Sequence, residues 1–353
     1  EITRAPFSNS HHLSISSGGE HFDLRASAGW RNVQGVLKES GYQQINGRVR
    51  LRQSAFGDRL RLSANLAAAS REMDFSIPEA FQHATAFHPT APIFGASPSG
   101  KNHDGYFETE LYGSFNPVAI LAQNTDEGER KLQSGSLRGE LRLADWLWLD
   151  ATGSLLTEQS KRGGYSGMNS QFWAFRLGGD AKIAAASRRN VFFETALRGE
   201  RQFGKLAANY RLGWDWQRLV NEGFSGVASE FISDAFLYHN LNFGQGFSRG
   251  NTNGNAVHSF KNEHKLAAAS AQASLGWNGI LSLDAGLRRE GSSHLPPGKK
   301  WGWFHQFAAG VELKPLLRRL RWLDRLHLEA GKGVAGGLPL QGGLWQLQFK
   351  RSG

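Results

Sequence analysis

Cysteine is absent from the 353-residue chain, and methionine occurs only twice. The first absence excludes disulfide frameworks, thiol catalysis and cysteine-based zinc sites. No apolar run approaches the roughly 18 residues that a membrane-spanning helix needs. That excludes helical spans and leaves strand spans open, because a strand crossing a bilayer alternates apolar with polar residues. Proline is sparse at 10 residues. The opening EITRAPFSNS has no basic segment followed by an apolar one. A leader is therefore expected to have been removed, or this stretch to lie inside a longer chain. Blocks of one charge sign are missing too: 41 Lys and Arg are interleaved with 31 Asp and Glu. The dispersed excess of +10 argues against a nucleic-acid stripe and leaves anionic lipid or an acidic ligand as partners.

What is present is alternation. In QINGRVRLRQSAFGDRLRLSANL, from Gln44 to Leu66, Arg48, Arg50 and Arg52 alternate with Val49 and Leu51, and Arg59 and Arg61 with Leu60 and Leu62. A helix would scatter these side chains around its circumference, whereas a strand sends arginines to one face and aliphatics to the other. The same period runs through Phe22 to Arg31, Leu147 to Leu155, Leu206 to Gln217 and Leu281 to Arg288. About twelve such segments are legible, many of about 10 to 14 residues. Ordinary soluble strands run about 5 to 6 residues, and strands of about ten are what a tilted bilayer crossing needs. The 11% aromatic content argues against disorder. Trp30, Trp214 and Trp216 sit toward the ends of apolar rows, where interfacial girdles lie.

The connections come in two sizes. Short ones are Ser17 to His21, Ser54 to Asp58, Leu143 to Trp146, Gln202 to Lys205 and Trp277 to Gly279. Long ones are Glu72 to Lys131, Lys161 to Arg189, Asn221 to Glu263 and Gly291 to Lys300. Regular short–long alternation is the wiring of an up-and-down membrane barrel, with tight periplasmic turns and long outer loops. The expected fold is therefore all-β: an antiparallel transmembrane β-barrel segment of about twelve long strands. Its arginines would face a watery lumen and its aliphatics lipid. A large soluble sandwich with long strands is the competing reading.

No chemistry-bearing constellation stands out. GFSRG (Gly246 to Gly250) fits a serine-hydrolase pattern, but NTNGN follows it where that motif needs a helix. His83, His88 and His103 lack zinc spacing. Asp126, Glu127 and Glu129 lack the spacing of a calcium loop and read as a polar run at a loop base. The expectation is no catalytic residue, no metal site and no cofactor. The long loops are instead rich in aromatics, which stack on sugars or on one another. Phe87, Tyr106, Phe115 and the neighbouring Asn116 fall in the first long loop, Trp173 in the second, and Phe224, Phe236 and Tyr238 in the third. These eight are the candidates for contact with a ligand or with a lid, and packing within the loops is the alternative for each ring.

Longer stretches go beyond pattern. HHLSISSGGEHFDLRASAGWRNVQGVLKESGYQQINGRVRL resembles the start of the barrel in SusC-like TonB-dependent transporters (the RagA/SusC family) of Bacteroidetes outer membranes. FNPVAILAQNTDEGERK, VNEGFSG, FISDAF, LRREGSSHLPPGKKWGWF and LDRLHLEAGKGVAGGLP resemble further stretches of that family, in its order. The resemblance implies a barrel of about 22 strands around a plug. It implies import of oligosaccharides or peptides across a Gram-negative outer membrane, with a SusD-like lipoprotein over the mouth. Energy would come from TonB–ExbB–ExbD through the plug of the full-length protein. Asn116 and Pro117 match the family's N-P-V-A stretch and place it in an ordered loop near the mouth.

Nothing in residues 1–353 matches the family's plug or TonB box, so the whole chain is expected to be one partial barrel domain. Outer-membrane lipid is an expected neighbour. A dimer of SusC–SusD pairs or a larger complex is compatible with the resemblance. A stand-alone plugless outer-membrane barrel, or a structural subunit of a larger complex, is the alternative. A β-rich polysaccharide-active enzyme would need paired catalytic carboxylates, which the sequence does not place.

Overall fold

In the computed structural model the described residues are 1–109, 113–172, 178–246, 257–315, 317 and 322–337. Their strands are β1 (Ser8–Gly18), β2 (Phe22–Gln34), β3 (Gly41–Ala55), β4 (Leu60–Asp74), β5 (Asn124–Ala144), β6 (Leu147–Ser166), β7 (Asp180–Phe203), β8 (Leu206–Phe231), β9 (Gly244–Gly246), β10 (Val257–Trp277), β11 (Leu281–Ser292), β12 (Trp301–Glu312) and β13 (His327–Gly333). They form one sheet in which strand order follows chain order, apart from the three-residue β9, which pairs with β8. The pairings are antiparallel, so each strand returns beside the one before it. Among the described residues β1 and β13 are paired on one side only.

The expected hairpins form where small turn residues permit them. Asn278 and Gly279 both take positive φ, 55° and 66°, as a two-residue type I′ turn requires. At the opposite end of the sheet the connections are long, except for residues 35–40 between β2 and β3. The connection between β4 and β5 carries two short helices, α1 (Glu79–Ala86) and α2 (Pro117–Gln123).

Period two divides the sheet into two faces. One carries rows in strict register: Leu24 opposite Leu51, Leu51 opposite Ala64, Ala64 opposite Leu137, Leu137 opposite Gly153, and Gly153 opposite Phe193. Among the described residues no second layer covers these rows. Leu66, Leu137, Leu283 and Phe307 remain 54–60% exposed. On β8 the apolar row runs from Leu206 to Trp216. About ten steps of ~3.3 Å, tilted about 40°, give a height of roughly 25 Å, the hydrophobic height of an outer-membrane barrel wall. On β2–β4 the arginines occupy the other face.

Strands run on well past the apolar rows, which shortens the loops read from sequence. β7 and β8 have 24 and 26 residues. Asp126, Glu127 and Glu129 lie in β5 rather than at a loop base, and Phe224 lies in β8 rather than in a loop. Beyond the apolar rows both faces turn polar, so hydrophobic alternation fades while the backbone ladder continues. Cross-strand ion pairs carry it on: Lys261 Nζ is 2.8 Å from Glu222 on the adjacent strand, and Arg218 Nε is 2.5 Å from Glu263.

Buried apolar side chains collect at the long-loop end. Ile2, Leu37, Ile77, Ala80, Ile120 and Leu121 form one cluster beneath α1 and α2. Tyr165, Ala181, Ala228, Phe231 and Tyr238 form another, where a 3-10 turn (Asp234–His239) lies on β6–β8.

Candidate functional site

Two surfaces meet at the site: the polar face of the sheet, and the loops that stand above one end of it. On β5–β11 the polar face is a set of ion pairs. Arg288 grips Asp215 with two N–H groups, at 2.7 and 3.0 Å, and donates through Nε to Glu290 at 2.8 Å. Planar guanidinium and carboxylate match in this bidentate geometry. The bridge spans β10, whose Ala268 lies directly between Asp215 and Glu290 and is 1% exposed. Arg198 reaches Asp150 at 3.3 Å, Arg211 bonds Glu194, and Arg130 meets Glu158 at 2.6 Å. Higher up, Arg162 holds Asp126 with two bonds of 2.7 and 2.5 Å.

On β2–β4 the same face is richer in arginine and poorer in acid. Arg25 has Asp23 at 3.8 Å, while Arg48, Arg50, Arg52 and Arg61 make no side-chain hydrogen bond or ion pair among the described residues. Arg50 Nε is buried without an acceptor. Arg25, Arg48 and Arg50 border a recess of about 880 Å³ lined with small polar groups, including Ser14, Asn65, Ser136 and Asn190.

The loops are built around one residue anticipated from sequence. Asn116 is buried at the N-cap of α2, and its Oδ1 accepts from the backbone N–H groups of Val118 and Ala119 at 3.0 and 3.3 Å. Its amide donates to the carbonyls of Ile93 and Phe107, and its backbone N–H to Glu108 Oε2 at 3.0 Å. An Asn cap followed by Pro at the first helical position is a local start signal, and here it also ties together distant parts of the loop.

The other candidates separate into groups. Phe115 is half-buried against the first cluster, edge-on to Phe172 and His83 at 5.5 and 4.9 Å. Tyr106 lies 5.0 Å from Phe94 across an isolated bridge. Phe87 is the half-buried C-cap of α1. Phe236 is stacked on Phe243 at 4.3 Å. Phe224 stands exposed on the apolar-row face of β8, apart from the loop rings. Tyr238 is buried over Gly163, where an added Cβ would meet its ring at 2.1 Å. Its hydroxyl donates to Glu127. Burial, then that carboxylate, pushes the phenol above its usual range, so it stays a donor at neutral pH. Trp173, and most of GFSRG, lie outside the described residues.

Sequence reasoning missed the buried polar anchors. Asp234 accepts from the Tyr165 hydroxyl at 2.6 Å and from the Met168 backbone at 2.9 Å. His103 Nδ1 lies 3.1 Å from the carbonyl of Asn169. No local spacing marks these pairs, because the partners come from distant stretches of chain, Tyr165 from the end of β6 and the others from separate loops.

No protein-family model matches the chain. Over 143 residues it is 24% identical to the TonB-dependent receptor SusC of Bacteroides thetaiotaomicron, covering 40% of this chain and 14% of that protein. Over 205 residues it is 22% identical to the TonB-dependent receptor P3 of Formosa agariphila, covering 58% of this chain and 20% of that one. The fold is similar to that of the solved RagAB peptide transporter, with a TM-score of 0.70 at 15% identity, over 92% of this chain and 36% of that one. The chain is a homologue of the TonB-dependent outer-membrane receptors. The closed form of the ferric-catecholate import receptor Fiu of Escherichia coli K12 shares the fold more loosely, with a TM-score of 0.57 at 12% identity, over 98% of this chain and 51% of that one.

This receptor homologue spans a fifth or less of the curated relatives it matches. Its place is a Gram-negative outer membrane of the Bacteroidetes type, as for both of them. Those relatives are transport receptors rather than catalysts, consistent with a non-enzymatic role.

Proposed function

We propose that residues 1–353 act as one unit of barrel wall in an outer-membrane importer, with the polar face toward the conduit and the apolar rows toward lipid. The observation that carries this reading is the uncovered apolar band of bilayer height, backed on the same strands by arginines. Oligosaccharides or peptides are the cargo this reading favours. A SusD-like lipoprotein would cap the mouth, and TonB–ExbB–ExbD would act through the plug of the full-length protein. Phe87, Tyr106, Phe115, Trp173, Phe224, Phe236 and Tyr238 would contribute ring surface to cargo or lid, and Asn116 would hold the loop that presents them.

A second reading asks for less: a stand-alone plugless barrel, or a structural subunit of a larger outer-membrane complex. It needs only the fold and the superfamily, which is as far as the likeness to known receptors extends. Purification of the full-length gene product from outer membranes in detergent separates the two. The importer reading expects a co-purifying lipoprotein and uptake that stops when TonB is deleted. Recovery without the lipoprotein, together with TonB-independent behaviour, replaces it with the second. Quantitative extraction in detergent-free buffer overturns both.

A further inference from the structure

The polar face of β1–β4 holds charge that the ion-pair network does not use. Among the described residues Asp23 is the only acid on this face of the four strands, and it lies at the short-turn end, 3.8 Å from Arg25. Register sets Arg25 directly opposite Arg50. Arg48 follows two residues away on the same strand and face, a spacing of roughly 6.6 Å. Arg48 and Arg50 make no side-chain hydrogen bond or ion pair among the described residues, and Arg50 Nε is buried without an acceptor. An oxyanion arriving there would give that N–H the acceptor that the fold does not.

The recess bordered by these three arginines, about 880 Å³, falls within the roughly 300–1,000 Å³ usual for ligand pockets. Much of its wall is hydroxyl and amide: Ser14 and Ser16 of β1, Ser27 of β2, Asn65 of β4, Ser136 of β5 and Asn190 of β7. Such groups both donate and accept, which suits a ligand rich in hydroxyls. The backbone of β2–β4 is already hydrogen-bonded on both sides, so a peptide cannot be held there as an added strand. A hydroxyl-rich chain with repeated negative charge matches both parts of the lining.

We propose that this recess binds the anionic groups of an acidic oligosaccharide, carboxylated or sulfated. Arg48 and Arg50 supply the guanidinium forks and Arg25 a third charge, while the serines and asparagines meet the sugar hydroxyls. The proposal rests on the importer reading and deepens it by naming the class of cargo.

The test uses the full-length protein purified in detergent, with binding read by isothermal titration calorimetry. Tetragalacturonate is compared with its fully methyl-esterified form, which keeps the sugar chain and removes the charge. The expected result is about tenfold tighter binding of the charged form, weakened by salt near ~1 M. A sulfated galactan tetrasaccharide and its desulfated form make a second pair. A charge preference in either pair supports the proposal, and the larger preference says whether carboxylate or sulfate is the group recognised. The R48Q/R50Q variant is expected to lose about tenfold for the charged ligand and to bind the esterified one unchanged, with R48K/R50K between the two. Absent binding of both charged sugars, equal affinities within both pairs, an unchanged glutamine variant, or tetraglutamate binding as tightly as the charged sugars overturns the proposal. If the glutamine variant does not fold, the ligand pairs and the salt series on the unaltered protein decide the matter. Binding in detergent reads the recess alone and TonB-dependent uptake reads the importer, so a failure of one is distinguished from a failure of the other.

Discussion

Strands β2–β4 and β5–β11 turn similar residues to the same face but arrange them differently. On the later strands Arg130, Arg138, Arg162, Arg198, Arg211 and Arg288 each have an acid within reach, on their own strand or another. On the earlier strands register sets Arg50 opposite Arg25 and Asn65, and Arg48 opposite Ser27 and Ala67. Like charges directly opposite one another are destabilising, and in a two-layered soluble protein such a ladder would be anomalous. Facing water it costs little. The difference separates two uses of charge: on β5–β11 it fixes neighbouring strands to one another, and on β2–β4 it sets the potential of the surface.

The largest effect should come from confusing the two faces. Leu137→Arg, in the middle of the apolar rows, is expected to cost about 2–4 kcal/mol of folding into bilayers, while Ser136→Arg, one residue away on the polar face, should cost little. Denaturant titration in lipid vesicles reads both, and equal costs would break the assignment of sides. Next comes Asp215→Asn, which strips the bidentate partner from Arg288 and uncovers Ala268. A charged hydrogen bond is worth about 1.5–3 kcal/mol, less here because Arg288 is partly exposed, so a loss of about 1–2 kcal/mol is expected.

A smaller effect of opposite sign is expected at Asp74, at the loop end of β4 and beyond the apolar band. Glu127 is its cross-strand partner and Glu72 lies nearby. Burial, reinforced by Glu127, Glu39 and Glu72, raises its carboxyl above the usual value. A raised folded-state pKa contributes stability that is complete at low pH and is lost as pH climbs through that value. Asp74→Asn should therefore stabilise at neutral pH by a few tenths to about 1 kcal/mol, and this advantage should vanish in acid. The smallest change is expected for Arg50→Gln, within about 0.5 kcal/mol, despite the residue's position in mid-sheet. A loss comparable to that of Asp215→Asn would erase the contrast between the two regions.

Much of this was legible in residue order. Val49 and Arg50 fall on opposite faces because a strand has period two, and WNG makes a turn because Asn and Gly tolerate positive φ. The strand ends were not legible. Glu129 and Lys161, or Glu222 and Lys261, look like loop composition until register sets them beside each other. The ion-pair partners were hidden for the same reason: Asp215 and Arg288 are separated by a whole strand. Among the candidate site residues Asn116 announced its structural role through the proline that follows it. The aromatic rings did not, since a phenylalanine that packs on another ring, as Phe236 does on Phe243, has the same local sequence as one that waits for a ligand.

The great length of β7 has one further consequence. Between Arg189, where the apolar row of β7 ends, and its first residue, Asp180, the strand climbs on the order of 20 Å. Hydrogen-bonded on both sides, that extension is a stiff parapet rather than a floppy tether. In the barrel-wall reading, whatever arrives from outside meets the protein well clear of the lipid headgroups, and anything sliding along the membrane surface must first get past this rim.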